Sequence, residues 1–191
     1  MADRRPAPGP RKYIVCNADE GDSGTFADRM LMEGDPFQLI EGMAIAAHAV
    51  GAGQGYIYVR SEYPHAIAKL NAAIALAAEH IAPFAIEVRV GAGAYVCGEE
   101  TSLLNSLEGK RGEVRAKPPL PALQGLFGCP TVVNNVLTLA AIPHILAGRG
   151  RALRQPGAST APRGPCRSSW RATSSTAGYT RPPSGSASTS W

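Results

Sequence analysis

Apolar and polar residues follow two different periods along the chain. A short apolar run at residues 13–16, YIVC, is typical of a buried strand. After Asp35 and Pro36, apolar residues recur at spacings of three and four, which predicts an amphipathic helix that ends at Gly51. The aspartate caps this helix, and the proline occupies its first turn. The pattern predicts that a strand is followed by a helix.

The same two periods recur further along the chain. Residues 56–59, YIYV, predict a second strand, and an amphipathic helix begins at Pro64 and runs to about His80. Residues 86–90, IEVRV, alternate as a third strand does. This order of elements predicts parallel strands joined by helices, an open α/β sheet whose ligands bind beyond the carboxyl ends of the strands.

An acidic loop, NADEGDSGTFADR at residues 17–29, follows the first predicted strand directly. It carries four acidic residues, an amide and two hydroxyls. Such a loop is either solvated or holds a polyhydroxylated or cationic ligand. Its position at a strand's carboxyl end favours the ligand without excluding the solvated loop.

A glycine-rich turn follows the third predicted strand, in GAGAYVCGEETSLL at residues 91–104. Its glycine spacing matches neither the dinucleotide fingerprint GxGxxG nor the phosphate loop GxxxxGK[ST]. Gly98, Glu99 and Glu100 precede a helical run, where acidic side chains complement the helix dipole and free N–H groups attract anions. Adjacent helical residues diverge by about 100°, so at most one of the two glutamates faces a ligand squarely.

Two asparagines, Asn134 and Asn135, precede a predicted helix, VLTLAAIPHIL at residues 136–146. An asparagine at this position is a good N-cap, which is a sufficient structural role by itself. Because the pair also lies at the start of a helix, its amides are a second candidate for ligand binding.

Positive charge is concentrated at the end of the chain. The 191 residues have a formal net charge of +4, but residues 150–191 hold six arginines and no acidic residue. The first 149 residues therefore hold 13 basic and 15 acidic residues, a net charge of −2. A mildly acidic patterned region gives no support for nucleic-acid binding.

The cysteines and the termini exclude further classes. The four cysteines lie 81, 32 and 37 positions apart, a spacing that fits no zinc site or iron–sulfur run, and we predict no metal site. The start of the chain has no apolar segment typical of a signal peptide, and no apolar run is long enough to cross a membrane. We expect a cytoplasmic protein with reduced thiols and no direct membrane insertion.

Four long motifs in this order resemble one family of flavoproteins. They are KYIVCNADEGDSGTFADR, YIYVRSEYPHAI, GAGAYVCGEETSLLNSLEGKRG and KPPLPALQGLFGCPTVVNNV. The chain from residue 12 to 148 resembles the NADH-binding flavoprotein subunits: the complex I 51 kDa subunit, diaphorase subunits of NAD-linked hydrogenases, and β subunits of NAD-dependent formate dehydrogenases. The residues NADEGDSGTFADRM and YIYVRSEYPHAI are most similar to the formate dehydrogenase β branch, and the complex I and hydrogenase diaphorase subunits are the alternatives.

The resemblance implies an open Rossmann-like α/β sandwich and a flavin chemistry. FMN would exchange hydride with NADH or NAD⁺ and pass electrons to or from iron–sulfur clusters of partner subunits. The cofactor would carry the chemistry, and protein groups would orient the two rings. The alternative is an inactive fragment or a scaffold that docks onto partner subunits.

The resemblance also assigns the site residues. Asn17, Asp19 and Glu20 would hold FMN, and Asp22 would lie near the nicotinamide. Tyr95 and Glu100 would lie nearest the reaction, Tyr95 with an aromatic face and Glu100 toward the dinucleotide. The other implied contacts are Gly98 and Glu99 in the flavin and NADH pocket, Lys117 near NADH, and Asn134, Asn135 and Thr138 on FMN.

Three features depart from the family pattern. A glycine-rich loop that contacts the flavin phosphate in relatives, and a cysteine run that ligates a [4Fe–4S] cluster, are both missing from the printed sequence. Residues 149–191 are rich in Ser, Pro and Arg, which predicts a disordered tail. This tail is either a frameshifted translation or a natural basic extension. We expect a linker at 1–12 and a partial FMN/NADH domain at 13–148.

Overall fold

A four-stranded parallel sheet forms the centre of the molecule. The computed structural model describes residues 11–149, so the tail predicted for 149–191 and the linker predicted for 1–12 lie almost wholly outside the described residues. The strands are β1 (Tyr13–Ala18), β2 (Gln54–Arg60), β3 (Ala85–Gly91) and β4 (Thr131–Asn135). Their order across the sheet is β3-β2-β1-β4, and every neighbouring pair is parallel.

Six α-helices connect or follow the strands. They are α1 (Ala27–Gly34), α2 (Pro36–Val50), α3 (Pro64–Ile81), α4 (Glu100–Leu107), α5 (Pro121–Gln124) and α6 (Val136–His144). Two 3₁₀ turns lie at Tyr95–Gly98 and Leu126–Gly128. Within residues 11–149, no helix is both long enough and apolar enough to span a bilayer.

One face of the sheet is covered by four helices. Because side chains alternate along a strand, Ile14, Cys16 and Ala18 of β1 point to the same face. They pack with the buried sides of α1, α2, α3 and α6, through residues that include Met32, Leu39, Leu70 and Leu139. This face holds the main hydrophobic core.

The opposite face is covered more thinly. Tyr13 and Val15 of β1 and Tyr58 of β2 pack there against Cys97, Leu103, Leu104 and Leu126. The covering elements are the turn Tyr95–Gly98, α4 and the turn Leu126–Gly128. The sheet is therefore enclosed by helices on both faces, and the α/β fold that the periodicities predict is confirmed.

The direction of chain travel across the sheet reverses after β3. From β1 to β3 the connections run over the thickly covered face, whereas the connection from β3 to β4 crosses the thin face and passes β2 and β1. This return brings the turn Tyr95–Gly98 and the start of α4 to the carboxyl end of β1. Asn17 Nδ2 donates to Gly98 O across 2.8 Å at this point.

Helix α1, strand β4 and the short elements α5 and the two 3₁₀ turns were not predicted from the sequence, and one helix ends early. Helix α1 begins without a cap from its own N-cap residue, Phe26, and so lacks the usual local signal. Strand β4 has only five residues, the last two of which are the asparagines that precede the predicted helix. Helix α6 ends at His144 rather than 146, and a π-helical turn follows, because Pro143 removes one N–H from the regular ladder.

Candidate functional site

A cleft lies beyond the carboxyl ends of β1 and β4. Its volume is about 870 Å³, within the range of small-molecule sites. Three segments form its walls: the acidic loop that follows β1, the turn that follows β3, and the start of α6 after β4. The three candidate segments, which the sequence analysis treats one by one, therefore meet at one cleft.

Asn17 fixes the corner of the cleft where β1 ends. Its amide nitrogen donates to Gly98 O, and its Oδ1 accepts from the backbone N–H of Asp19 across 3.2 Å. Both ends of the Asn17 amide are therefore engaged. The side chain joins the acidic loop to the turn that follows β3.

Glu20 caps helix α1 from outside the helix. Its Oε1 and Oε2 accept from the backbone N–H groups of Asp28 and Arg29, each across 3.3 Å. A carboxylate near a helix N-terminus is favoured by the helix dipole. Glu20 thus folds the acidic loop back onto α1 while it lines the cleft.

Glu99 is the N-cap of α4. Its Oε2 accepts from the N–H groups of Thr101 and Ser102, and its Oε1 pairs with Lys117 Nζ at 3.2 Å. Partial burial acts to raise the pKa of Glu99, but these hydrogen bonds outweigh it and hold the pKa below its usual value. Lys117 also pairs with Glu100, and the two glutamates raise the pKa of the lysine.

Asn135 and Asp28 connect the third wall to the first. Asn135 caps α6 by accepting from Leu137 N across 2.9 Å, and its Nδ2 donates to Asp28 Oδ2 across 2.6 Å. Burial raises the pKa of Asp28 to about 6, with a smaller raising contribution from Glu20, and the hydrogen bond from Asn135 opposes the rise. A titratable carboxyl is therefore held inside the cleft.

Tyr95 forms an open side of the cleft. Its side chain is 72% exposed, and its hydroxyl donates to Asp22 Oδ1 across 3.1 Å. This contact raises the pKa of the tyrosine, because the neighbouring carboxylate disfavours a phenolate. An exposed aromatic face is thus tethered at the rim by an acidic partner.

Asp19 is a second buried carboxylate in the cleft, beside Asp28. Its side chain is 2% exposed, and its Oδ1 is 3.5 Å from Arg60 NH1. Its other oxygen, Oδ2, is buried without a hydrogen-bond partner. Burial raises the pKa of Asp19, the charge of Arg60 lowers it, and that of Glu62 raises it.

The predicted site residues divide into two groups. Those that line the cleft are Asn17, Asp19, Glu20, Asp22, Tyr95, Gly98, Glu99 and Asn135. Those that lie outside its lining are Glu100, Lys117, Asn134 and Thr138. Glu100 and Lys117 pair with each other beside the N-terminus of α4, whereas Asn134 lies within β4 and Thr138 is exposed on α6.

Sequence reasoning missed two charged residues, Asp28 in the lining of the cleft and Arg60 beneath it. Asp28 lies inside the acidic motif itself and would have been found if α1 had been predicted. Arg60 is the last residue of β2, and the rule that ligand groups collect at strand carboxyl ends applies to it as it does to Asn17.

Comparison with known proteins places the chain among flavoprotein subunits. The Nuo51 FMN-binding domain family matches residues 2–144. An NADH-quinone oxidoreductase subunit of Rhizobium meliloti (strain 1021) is 53% identical over 150 residues, which cover 73% of this chain and 36% of that protein. The NADP-reducing hydrogenase subunit HndC of Solidesulfovibrio fructosivorans is 52% identical over 146 residues, which cover 71% of this chain and 30% of that protein.

A solved structure agrees with these matches. NAD⁺-reducing [NiFe]-hydrogenase in the H₂-reduced state aligns with a TM-score of 0.70 and 47% identity, over 73% of this chain and 25% of the hydrogenase chain. The chain spans about a third of the length of the curated relatives that it matches.

Proposed function

The chain belongs to the Nuo51 FMN-binding domain family, and from this membership we propose that its cleft binds the flavin of FMN beside NADH or NAD⁺. In this proposal the chain is the flavin module of a multisubunit NAD-linked oxidoreductase. Hydride moves between the nicotinamide and the flavin, and electrons pass to or from iron–sulfur partner subunits. The similarity to subunits of NADH-quinone oxidoreductases and hydrogenases supports this function.

The observation that carries the proposal is the oxygen-rich lining of the cleft. Five carboxylates and two amides line a space of about 870 Å³ beyond the carboxyl ends of two adjacent strands. A ribityl chain and the edge of a flavin ring offer several hydroxyl and N–H donors to such acceptors. The buried, unpartnered Oδ2 of Asp19 suits a ligand donor, because an unpaired buried oxygen is costly.

The same lining does not suit the phosphate of FMN. Among the cleft residues in the described part of the chain there is no lysine or arginine. The carboxylates there repel an anion at short range. We therefore assign the ring and the ribityl chain to the described residues and leave the phosphate to groups outside that lining.

The residue roles in this proposal follow the resemblance. Asn17, Asp19 and Glu20 bind FMN from the acidic loop, and Asn135 binds it from the opposite wall. Asn134 and Thr138 lie outside the lining, and the resemblance alone assigns them to FMN. Tyr95, Gly98 and Glu99 form the shared pocket, in which the exposed ring of Tyr95 provides an aromatic surface. Asp22, Glu100 and Lys117 face the dinucleotide.

When bound, FMN supplies the change between two-electron and one-electron chemistry. The chain's own groups position it. Asn17 holds two walls of the cleft together through Gly98, so the distance between the loops is fixed before a ligand enters. Tyr95 restricts access at the rim, where its hydroxyl is held by Asp22.

We further propose the formate dehydrogenase β branch as the cellular context, in the cytoplasm. The sequence motifs NADEGDSGTFADRM and YIYVRSEYPHAI support this branch. A hydrogenase diaphorase or a complex I subunit is the alternative, which the similarity to HndC and to NADH-quinone oxidoreductase subunits supports. Comparing formate, hydrogen and quinone as redox partners of the complex isolated from cells distinguishes the three.

Flavin binding by the purified 191-residue chain tests the proposed function. We expect saturable quenching of riboflavin fluorescence. The affinities for FMN and riboflavin should agree within about tenfold, because the described lining offers the phosphate no charge-assisted contact. Asn17→Ala weakens flavin binding, whereas Glu87→Gln on the exposed edge strand β3 serves as the control.

NADH–ferricyanide activity of the flavin-loaded chain separates the two ligands. Glu100→Gln is expected to lower NADH turnover more than flavin retention. Equal flavin loss in Asn17→Ala and Glu100→Gln would remove the assigned division between flavin and dinucleotide contacts. Absence of saturable flavin binding by the folded chain favours the scaffold alternative.

A further inference from the structure

Arg60 connects three loops beneath the cleft. It ends β2, and its side chain is only 15% exposed. The guanidinium lies 3.5 Å from Asp19 Oδ1, donates to Glu62 Oε1 across 2.9 Å and reaches Gly93 O at 3.4 Å. One cation thus contacts the loops that follow β1, β2 and β3.

The pair between Arg60 and Asp19 is incomplete. The separation of 3.5 Å permits an ion pair, but NH1 of Arg60 makes no hydrogen bond and neither does Oδ2 of Asp19. Both atoms are buried. Oδ2 lies toward Gly98, where a Cβ would be 3.9 Å from it, and both Asp19 and Gly98 line the cleft.

Gly21 keeps this arrangement compact. A Cβ at position 21 would lie 3.0 Å from Arg60 NH1 and 3.0 Å from Tyr95 Cδ2. The arginine therefore lies directly under the part of the acidic loop that touches the rim tyrosine. A glycine there allows the loop to approach both side chains.

We propose that Arg60 is a positioning residue for the flavin, because it occupies the Oδ1 side of Asp19 and leaves the buried Oδ2 for a hydroxyl or N–H of the ligand. This inference rests on the proposed function of the cleft. Arg60 itself does not line the cleft and touches no ligand. It acts through Asp19.

The charges around Asp19 give this role its physical basis. Burial and Glu62 raise the pKa of Asp19, and Arg60 opposes both. Glu20 and Asp22 add negative charge on the same loop, and Tyr58 faces Asp19 from β2. Without the cation, Asp19 takes up a proton at a higher pH. The carboxylate oxygen is then lost as an acceptor for a hydrogen bond from the ligand.

A purely structural role is the rival explanation. Removing one member of a buried ion pair destabilises a protein because the other charge is left uncompensated. A second substitution that removes that charge relieves the penalty. The double variant Arg60→Gln, Asp19→Asn therefore distinguishes two roles of Arg60. In one, Arg60 only stabilises the fold; in the other, it orients Asp19 for contact with the ligand.

The experiment uses the full chain and riboflavin, which has no phosphate. Asp19 is titrated by ¹³C-carboxyl NMR without ligand, and riboflavin affinity is measured by fluorescence quenching across pH in the native chain, Arg60→Gln, Arg60→Lys and the double variant. Arg89→Gln is the matched control. Arg89 and its partner Glu87 are both exposed and both lie on β3, the strand beside β2.

The proposal predicts three results. The midpoint of the Asp19 pH titration rises in Arg60→Gln. It stays near the native value in Arg60→Lys and Arg89→Gln. Riboflavin affinity at pH 7 falls roughly ten- to hundredfold in Arg60→Gln, as expected for a lost hydrogen bond to a charged acceptor. The double variant regains thermal stability but not affinity.

Either of two results would overturn the proposal for Arg60 while leaving the proposed function of the cleft intact. One is an Asp19 midpoint that does not move in Arg60→Gln. The other is a double variant that binds riboflavin within about twofold of the native chain. If the native chain binds no riboflavin, the proposed function and the ligand part of this inference fail together, and the titration still decides whether Arg60 holds Asp19 ionised.

Discussion

Two of the cavities in the described part of the chain are similar in size but differ in their lining. The cleft beyond β1 and β4 has a volume of about 870 Å³, and a groove between α2 and α3 has about 970 Å³. Carboxylates and amides line the cleft. The groove is lined mainly by apolar side chains, among them Phe37, Ile40, Leu76 and Phe84.

The two cavities differ in topology and polarity rather than in size, and these two properties make the cleft the candidate ligand site. Ile40, Ala47 and Phe84 line the groove and also belong to the main core, so the groove is the outer side of helix packing. The cleft is built from loops at strand ends, where buried polar atoms such as Asp19 Oδ2 remain unpartnered. Substitutions should therefore affect stability at one cavity and ligand binding at the other.

The largest expected effect comes from two phenylalanines, one at each cavity. Phe84 is 7% exposed in the groove, and Phe26 is 50% exposed at the cleft. Phe84→Ala should lower the free energy of unfolding by about 3–5 kcal/mol with riboflavin affinity unchanged. Phe26→Ala should change stability little and weaken riboflavin about two- to tenfold. Urea denaturation and fluorescence titration measure both, and the reverse pattern would contradict the comparison.

Gly42 tests the contact between α2, a wall of the groove, and α6, whose start lines the cleft. A Cβ at position 42 would lie 2.0 Å from Leu139 O, a backbone atom that cannot rotate away. Gly42→Ala should lower the free energy of unfolding by about 3 kcal/mol. Gly34→Ala is the control, because a Cβ there meets nothing within 4 Å and the change should be neutral or stabilising. Similar stability of the two variants would refute this close packing.

The pH dependence of stability tests the carboxyl that the cleft buries. The pKa of Asp28 is raised by burial from 3.8 to about 6, so the folded chain holds this proton in a range where the unfolded chain has lost it. The contribution of Asp28 to stability is fully present below pH 3.8 and is lost as pH rises to 6, on the order of 2 to 3 kcal/mol.

Asp28→Asn should remove this dependence, because an amide does not titrate and its oxygen still accepts from Asn135. The difference in unfolding free energy between the variant and the native chain should therefore grow from pH 4 to pH 6 and then level off. Denaturation at several pH values measures it. A difference that is constant with pH would show that Asp28 titrates normally.

The smallest effect is expected at the surface. Lys117 pairs with Glu99 and Glu100 beside the cleft, yet its side chain is 35% exposed, and exposed ion pairs contribute little. Lys117→Gln should lower the free energy of unfolding only slightly while weakening NADH binding. Lys110→Gln, which breaks the pair with Glu108, is the control. If the two variants bind NADH with equal affinity, the assignment of Lys117 to the dinucleotide site is wrong.

The sequence predicted the elements whose signals are local. Strands β1 to β3 and helices α2 and α3 carry clear periodicity, and Asp35 and Gly51 mark the ends of α2. Helix α1 was missed because its cap, Glu20, comes from the preceding loop rather than from its own first turn. Strand β4 was missed because it forms through pairing with β1, from Tyr13 opposite Thr131, far away along the chain.

The same distinction applies to the cleft. The acidic loop and the Gly98–Glu99 turn could be identified as candidate ligand segments from the sequence because each follows a strand and carries a specific motif. Arg60 was missed because a single arginine at the end of a strand has the same sequence pattern whether its side chain reaches solvent or turns inward. Its role depends on three loops that only the folded chain brings together.

Mapping of a bound flavin onto the folded chain tests the central claim most directly. In ¹⁵N-labelled protein titrated with FMN, amide shifts should change saturably at residues 17–22, 95–99 and 135–138. The amides that border the groove, such as those of Phe37, Leu76 and Phe84, should stay unchanged. Saturable changes confined to the groove, or none at the three cleft segments, would contradict the assignment of the cleft as the flavin site.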